Sequence, residues 1–173
     1  LVDEELRERA SCPYAGPALA MDSDPVLIAT WTRGWVLNEM GRLDEAARDL
    51  ERAEALARER HDQTGLALTL GNKSMNKSLR GDLDEAFRLA QAAGEVAERI
   101  GDAFISSFAH LQVGICHLMG ERWQEARTAL ERASAIVQSS RALLSMEPSF
   151  RAALGWVCAA SGDFERARRL ARE

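Results

Sequence analysis

Apolar residues recur along the chain at intervals of three and four, which is the spacing of one face of an α-helix. One such face, built from alanine and leucine, returns at a separation of about forty residues, and no stretch shows strand-like patterning. Its members are Ala46, Leu50 and Ala53, then Ala86, Ala90 and Ala93, then Ala126, Leu130 and Ala133. The pattern predicts an all-α protein made of repeated helices.

A short turn motif follows the same period. It begins at Gly41 as GRLDEA and returns as GDLDEA at Gly81, ERWQEA at Glu121 and GDFERA at Gly162. Seven residues before each turn stands a small residue that allows close helix packing, at Gly34, Ser74, Gly114 and Gly155. A unit of this length that recurs four times indicates a stacked array of helix pairs, in which each unit buries its apolar face against the next.

The register predicts eight helices in four antiparallel pairs. They cover residues 25–40, 43–60, 65–80, 83–100, 103–119, 123–140, 148–160 and 164 onward. Asp24 and Asp102 are suited to cap the helices that follow them. The turn glycines Gly41, Gly81 and Gly162 stand where a helix end needs a left-handed residue.

The predicted organisation has two parts. Residues 1–10 have the pattern of the end of a preceding helix, and the proline- and glycine-containing stretch that runs to residue 24 has the composition of a loop. Residues 25–173 are expected to form the repeat domain, with units at about 25–62, 63–102, 103–141 and 142–173. Because the chain lacks an initiator methionine and stops within a helical pattern, we expect it to be part of a longer protein whose other domains hold an activity.

These features together resemble the tetratricopeptide repeat. That family has a small residue early in its first helix, glycine at the turn, alanines on the second helix and leucine or an aromatic residue two positions after the turn, as at Leu43, Leu83, Trp123 and Phe164. The resemblance covers about residues 25–173, although the units exceed the usual 34 residues. It implies an all-α, right-handed superhelical solenoid of about four repeats of about 40 residues.

The same resemblance implies a non-enzymatic interaction module that binds a peptide or partner segment on its concave face. The stretches TRGW at Thr32 and GRLDEA at Gly41 also resemble the repeat domains of large bacterial signalling proteins and transcriptional regulators. A small-molecule effector-sensing domain of such a regulator is therefore the alternative. The expected partners are a protein or peptide segment or an adjoining domain, and self-association through the ends of the solenoid is a further hypothesis.

Eight residues of the first helices are the candidate partner contacts. Trp31, Trp35, Met75, Leu111 and Ile115 would supply apolar contact, and Asn38, Asn72 and Lys73 polar contact. The alternative for the apolar residues is that they fill the core of a tight superhelix, since apolar stripes at helical spacing usually do so. Asn72 with Asn76, and Lys73 with Lys77, are pairs four residues apart that we interpret as a polar ridge on a solvated helix face.

Charge and composition narrow the class of partner. A net charge of −5 argues against nucleic acid and anionic membranes, which both need a basic face. Three widely spaced cysteines without a CxxC pair, and the absence of a signal-peptide pattern or a long apolar run, favour a cytoplasmic protein. His110 and His117, with Cys116 beside them, lack the spacing of a metal site, and no nucleophile stands beside a base. We therefore expect no catalytic residues, no metal and no cofactor.

Overall fold

The protein is described from a computed structural model that covers residues 24–139 and 147–172. Within these two ranges the chain forms eight helices and no strand. They are α1 (Pro25–Glu39), α2 (Leu43–Glu59), α3 (Gln63–Leu79), α4 (Leu83–Ile100), α5 (Ala103–Met119), α6 (Trp123–Ser139), α7 (Glu147–Ala160) and α8 (Phe164–Arg172). The predicted all-α solenoid of helix pairs is confirmed. The expected helix over 1–10, the loop after it, Cys12 and the linker 141–146 lie outside the described residues.

The helices pack in two layers. Each helix contacts the one before and the one after it along the chain. The first helices of successive pairs also contact each other directly, α1 with α3, α3 with α5 and α5 with α7, whereas second helices touch mainly first helices. The first helices therefore form the inner, concave layer and the second helices the outer layer. Each pair is held by its neighbours, as expected of a solenoid.

Aspartate side chains start several of these helices. The predicted caps are confirmed, since Asp24 Oδ1 accepts from the backbone N–H of Val26 at 2.7 Å and Asp102 Oδ1 accepts from that of Ile105 at 2.9 Å. Helix α3 begins at Gln63 rather than at the predicted Gly65, because Asp62 caps it by accepting from the Gly65 N–H at 2.7 Å. The turn glycines Gly41, Gly81 and Gly162 have φ of 72°, 81° and 84°, as predicted. In the third turn, Glu121 takes the left-handed conformation with φ of 58°.

The small residues before each turn fit against the second helix of their own pair. A Cβ atom on Gly34 would lie 2.7 Å from Leu50 Cγ, and one on Gly114 would lie 2.6 Å from Leu130 Cγ. In the second pair both positions change, because Ser74 replaces the glycine and the register places Ala90 where the first and third pairs have Leu50 and Leu130. The Ser74 hydroxyl donates to the Ala86 carbonyl at 2.8 Å. The larger residue on the first helix is thus matched by a smaller residue on the second helix.

The apolar core runs between the two layers and crosses the pair boundaries. Its largest cluster joins buried residues of the first three pairs, among them Leu27, Leu66, Val96 and Ile105. A second cluster joins the third and fourth pairs through residues such as Leu130 and Leu154. Burial therefore couples each pair to the next, and it fixes which side of every first helix is left for the concave surface.

Candidate functional site

Ion pairs to the outer layer show which side of α1 and α3 faces the second helices, and therefore which side faces the concave surface. Lys73 Nζ lies 2.7 Å from Glu54 Oε2 on α2, so this side of α3 faces the second helices. Arg33 likewise pairs with Asp49 of α2. A residue two positions further along lies about 200° around the helix. Met75, two residues after Lys73, therefore points to the concave side of α3.

An apolar stripe crosses this concave side at equivalent positions of all four first helices. Trp35 on α1 is 45% exposed and Trp156 on α7 is 64% exposed, while Met75 and Ile115 between them are half-buried. One helical turn after Met75 and Ile115, the side chains of Leu79 and Met119 are also exposed. We call these six residues the concave stripe: Trp35, Met75, Leu79, Ile115, Met119 and Trp156. Three of them, Trp35, Met75 and Ile115, are residues singled out from the sequence.

Trp31 and Leu111 pack against the core, which is the alternative expected for the apolar candidate contacts. Trp31 is half-buried against the cluster that contains Leu27 and Leu66. Leu111 is half-buried against the clusters that contain Phe150 and Leu154. These two residues therefore belong to the core beneath the concave surface and are not part of the concave stripe.

The interpretation of Asn72 and Asn76 as part of a solvated ridge is wrong, because both side chains are buried. Asn76 Nδ2 donates to Asn38 Oδ1 at 2.7 Å and to the Leu43 carbonyl at 2.9 Å, and Asn38 Nδ2 donates to the Asn72 carbonyl at 3.1 Å. Asn38 is also buried. These amides join the first pair to the second, so neither Asn38 nor Asn72 is offered to a partner in this structure.

The lysines of the expected ridge are engaged as well. Lys73 lies on the outer side of α3 in its ion pair with Glu54, and Lys77 Nζ lies 3.3 Å from Asp82 Oδ2. Lys73 is therefore placed away from the concave stripe. Both lysines are partly exposed. The expected ridge therefore consists of two ion-paired lysines beside buried asparagine side chains.

The two histidines of α5 are half-buried or buried and are held neutral near pH 7. Burial lowers the pKa of His110, and nearby Arg132 lowers it further while Glu98 acts in the opposite direction. Burial also lowers the pKa of His117, with Arg122 in the same direction and Glu125 against it. The His117 ring packs on Phe87, with ring centroids 4.8 Å apart.

The cysteines and carboxylates add no chemical centre in the described ranges. Cys116 and Cys158 are free thiols in buried positions, and Cys116 Sγ lies 3.2 Å from Ser74 Oγ. Within residues 24–139 and 147–172, no three His, Cys, Asp or Glu side chains come together in a way that could hold a metal ion. None of the helices described has the length and hydropathy needed to cross a membrane.

The concave stripe contains three residues that were not among the candidate contacts, Leu79, Met119 and Trp156. Trp156 occupies the same position of the repeat as Trp35, so it could have been predicted from the sequence. Leu79 and Met119 stand four residues after Met75 and Ile115, and the same helical spacing could have identified them.

Comparison with known proteins supports the architecture. Tetratricopeptide repeat family models match residues 65–139, and residues 27–48 and 148–173. The solved structure of the apo form of RapI aligns at 17% identity with a TM-score of 0.69, over 98% of this chain and 48% of RapI. The structure of BtubC (BKLC) from P. vanneervenii aligns at 19% identity with a TM-score of 0.68, over 97% of this chain and 66% of BtubC. At these identities the likeness is one of fold. A search of curated proteins finds no match by sequence.

Proposed function

Because the chain belongs to the tetratricopeptide-like helical repeat proteins, we propose that it is a non-enzymatic interaction module that binds a protein or peptide segment on its concave face. The observation that carries the proposal is the concave stripe, in which two tryptophans are exposed at equivalent positions of the first and fourth pairs. Curved repeat arrays offer extended concave surfaces for binding.

The composition of the stripe favours an apolar partner segment. Exposed contiguous apolar surface marks interaction sites in soluble proteins. Tryptophan is enriched among residues that dominate binding energy, and methionine adapts its shape to different partners. Trp35 and Trp156 would act as anchors at the two ends, with Met75, Ile115 and Met119 as the adaptable contact between them.

The spacing of the first helices sets the length of the partner segment. Packed helix axes lie about 8–10 Å apart, so three intervals span about 24–30 Å. A helix of about 16–20 residues has that length at 1.5 Å per residue. An extended strand would need only about 8 residues. We therefore expect the bound segment to present apolar side chains over this distance.

The test is selection of peptides of 8 to 20 residues on the unmodified chain, followed by affinity measurement on variants by fluorescence anisotropy. W35A/W156A removes both anchors, and we expect it to weaken binding about 30-fold or more, since hot-spot truncations cost about 2 kcal/mol or more. The matched control is F164A, because Phe164 at the start of α8 is 61% exposed but lies outside the concave stripe. We expect that variant to bind within about twofold of the unmodified chain.

Two outcomes would overturn the proposal. Selected peptides that bind W35A/W156A as well as the unmodified chain would place binding elsewhere. Failure of the selection to yield any saturable binder would deny that the stripe is a binding surface. Far-ultraviolet circular dichroism of each variant separates loss of binding from loss of fold.

A further inference from the structure

The outer layer contains a groove that differs from its neighbours. Successive second helices leave a cleft floored by the first helix between them. The cleft between α4 and α6, over α5, has a volume of about 540 Å³, and we call it the middle groove. The equivalent cleft between α6 and α8 measures about 260 Å³. A cleft between α2 and α3, which we call the first cleft and which no residue of α4 lines, measures about 270 Å³. The middle groove lies on the side of the solenoid away from the concave stripe.

Ion pairs lie at the two smaller clefts, whereas the described residues that line the middle groove form none. Lys73, which lines the first cleft, reaches Glu54 at 2.7 Å, but the corresponding residues forty positions later are Val113 and Gly94. A glycine and a valine cannot form such a pair, and a Cβ built on Gly94 meets nothing within 4 Å. The middle groove is therefore open where the first cleft is bridged.

The third cleft is closed by a different pair. Arg166 of α8 lies 2.7 Å from Glu131 of α6. In the repeat register these positions correspond to Glu125 and Gln91, which line the middle groove and have no opposite charge to offer each other. Neither of the two ion pairs that bridge the smaller clefts therefore has a counterpart in the middle groove.

Its lining combines an apolar floor with carboxylates on both walls. The floor on α5 includes Ala109 and Val113. The α4 wall carries Glu95 and Glu98, and the α6 wall carries Glu125. Arg132 is the only arginine or lysine of the described lining. None of the three carboxylates forms an ion pair in the described part of the chain, although many carboxylates of the outer helices do.

A buried imidazole of the lining also lacks a partner. His117 is 8% exposed, and its Nδ1 has no hydrogen-bond partner in the described structure. A buried polar atom without a partner is costly, so an occupant that supplies an N–H would be favoured there. Because burial lowers the pKa of His117 and of His110, both imidazoles are neutral near pH 7 and do not repel a cation.

We propose that the middle groove binds an aliphatic di- or triamine, with its alkyl chain on the floor and its ammonium groups at the carboxylates of the two walls. An alkyl chain suits Ala109 and Val113, and charge at both ends suits a groove with carboxylates on both walls. The volume lies within the range of about 300–1,000 Å³ typical of small-molecule sites. This site is separate from the concave stripe, so its test is independent of the proposed function.

The experiment is isothermal titration of the chain with 1,4-diaminobutane and with spermidine at fixed ionic strength. MgCl₂ is the reference, because Mg²⁺ carries the same charge as the diamine without an alkyl chain. We expect saturable binding with one amine per chain, at least tenfold tighter for the diamine than for Mg²⁺, and tighter again for spermidine. Absence of saturable binding, or equal affinity for Mg²⁺, would overturn the proposal.

Two variants locate the site. G94E/V113K installs the ion pair of the first cleft without changing the net charge, and it should weaken amine binding at least tenfold. E95Q/E125Q removes one carboxylate from each wall and should do the same, which keeps the test decisive if the first variant fails to fold. E39Q/E59Q is the control, because it removes two exposed carboxylates away from the groove, and it should bind within twofold of the unmodified chain. Equal losses in E95Q/E125Q and E39Q/E59Q would reduce the effect to general electrostatics and refute the site.

Discussion

The side chain of Asn76 joins the first two helix pairs. Its amide donates to Asn38 and to the Leu43 carbonyl, and its Oδ1 accepts from Arg80 Nε at 3.1 Å. The sequence could not predict this burial, because asparagines four residues apart suit a wet surface and a buried amide network equally well. Only the approach of α1 to α3 decides between them.

Removal of the Asn76 side chain should therefore be costly. In N76A, Asn38 Oδ1 and the Leu43 carbonyl lose their donor in a buried place, and we expect the free energy of unfolding in urea to fall by about 1–3 kcal/mol. The neighbouring K77A removes only a partly exposed ion pair with Asp82, and it should cost less than about 1 kcal/mol. Equal losses in the two variants would show that the amide network contributes little to stability.

At the scale of helices, most of the architecture follows from the sequence. The column of Gly34, Ser74, Gly114 and Gly155 gives the register, and the turn glycines give the ends of the helices. How deeply each side chain is buried cannot be predicted from the sequence, because Trp31 and Trp35 both belong to one apolar stripe. In the structure Trp31 packs on the core and Trp35 is exposed, since only the contact between successive first helices separates the two.

The fit between first and second helices makes a graded prediction. G34A and G114A would bring a Cβ within 2.7 Å and 2.6 Å of Leu50 and Leu130, so each should destabilise the chain by about 1–3 kcal/mol. At Gly155 the nearest atom is Leu170 Cβ at 3.8 Å, which is an ordinary contact. G155A should therefore be neutral or stabilise the chain by up to about 1 kcal/mol, because alanine is the better helix former.

Chemical denaturation of the three variants under one set of conditions checks this order. If G34A and G155A have the same free energy of unfolding, the close approach of α1 to α2 does not constrain the fold as the structure indicates.

At the scale of the whole molecule, the two layers separate two surfaces of different chemistry. The concave stripe is apolar and contains two tryptophans, whereas the middle groove on the outer side is lined by carboxylates and neutral histidines. Half of the stripe, namely Trp35, Met75 and Ile115, is among the contacts predicted from the sequence. The groove does not, because it depends on residues of three helices that lack an ion pair present in the clefts on either side.

The histidines of the groove should make the stability of the whole chain depend on pH. Their pKa values are lowered in the folded state, so the unfolded chain, with histidine pKa of about 6.5, binds more protons as the pH falls. The stabilisation is complete above that value and is lost progressively below it. The charged groups facing them are Arg132 and Glu98 at His110, and Arg122 and Glu125 at His117.

We expect the free energy of unfolding to decrease between pH 7.5 and pH 5.5, and to decrease less steeply in H110Q/H117Q. Urea denaturation at several pH values measures both slopes. Since His61 remains in both proteins, its contribution cancels in the difference. Equal pH dependence of the free energy of unfolding in the two proteins would mean that folding does not lower the pKa of His110 and His117.

The matched sizes of the small residue and its opposite leucine or alanine lie within one helix pair, and this determines how such an array can be recombined. A gene crossover inside a pair would join the first helix of one unit to the second helix of another, and could set Ser74 against a leucine such as Leu50. A crossover in the turn between pairs, for example near His61 or Gly101, keeps Gly34 with Leu50, Ser74 with Ala90 and Gly114 with Leu130. Shuffling, duplication or loss of whole pairs is therefore compatible with this packing, whereas exchange of single helices is not.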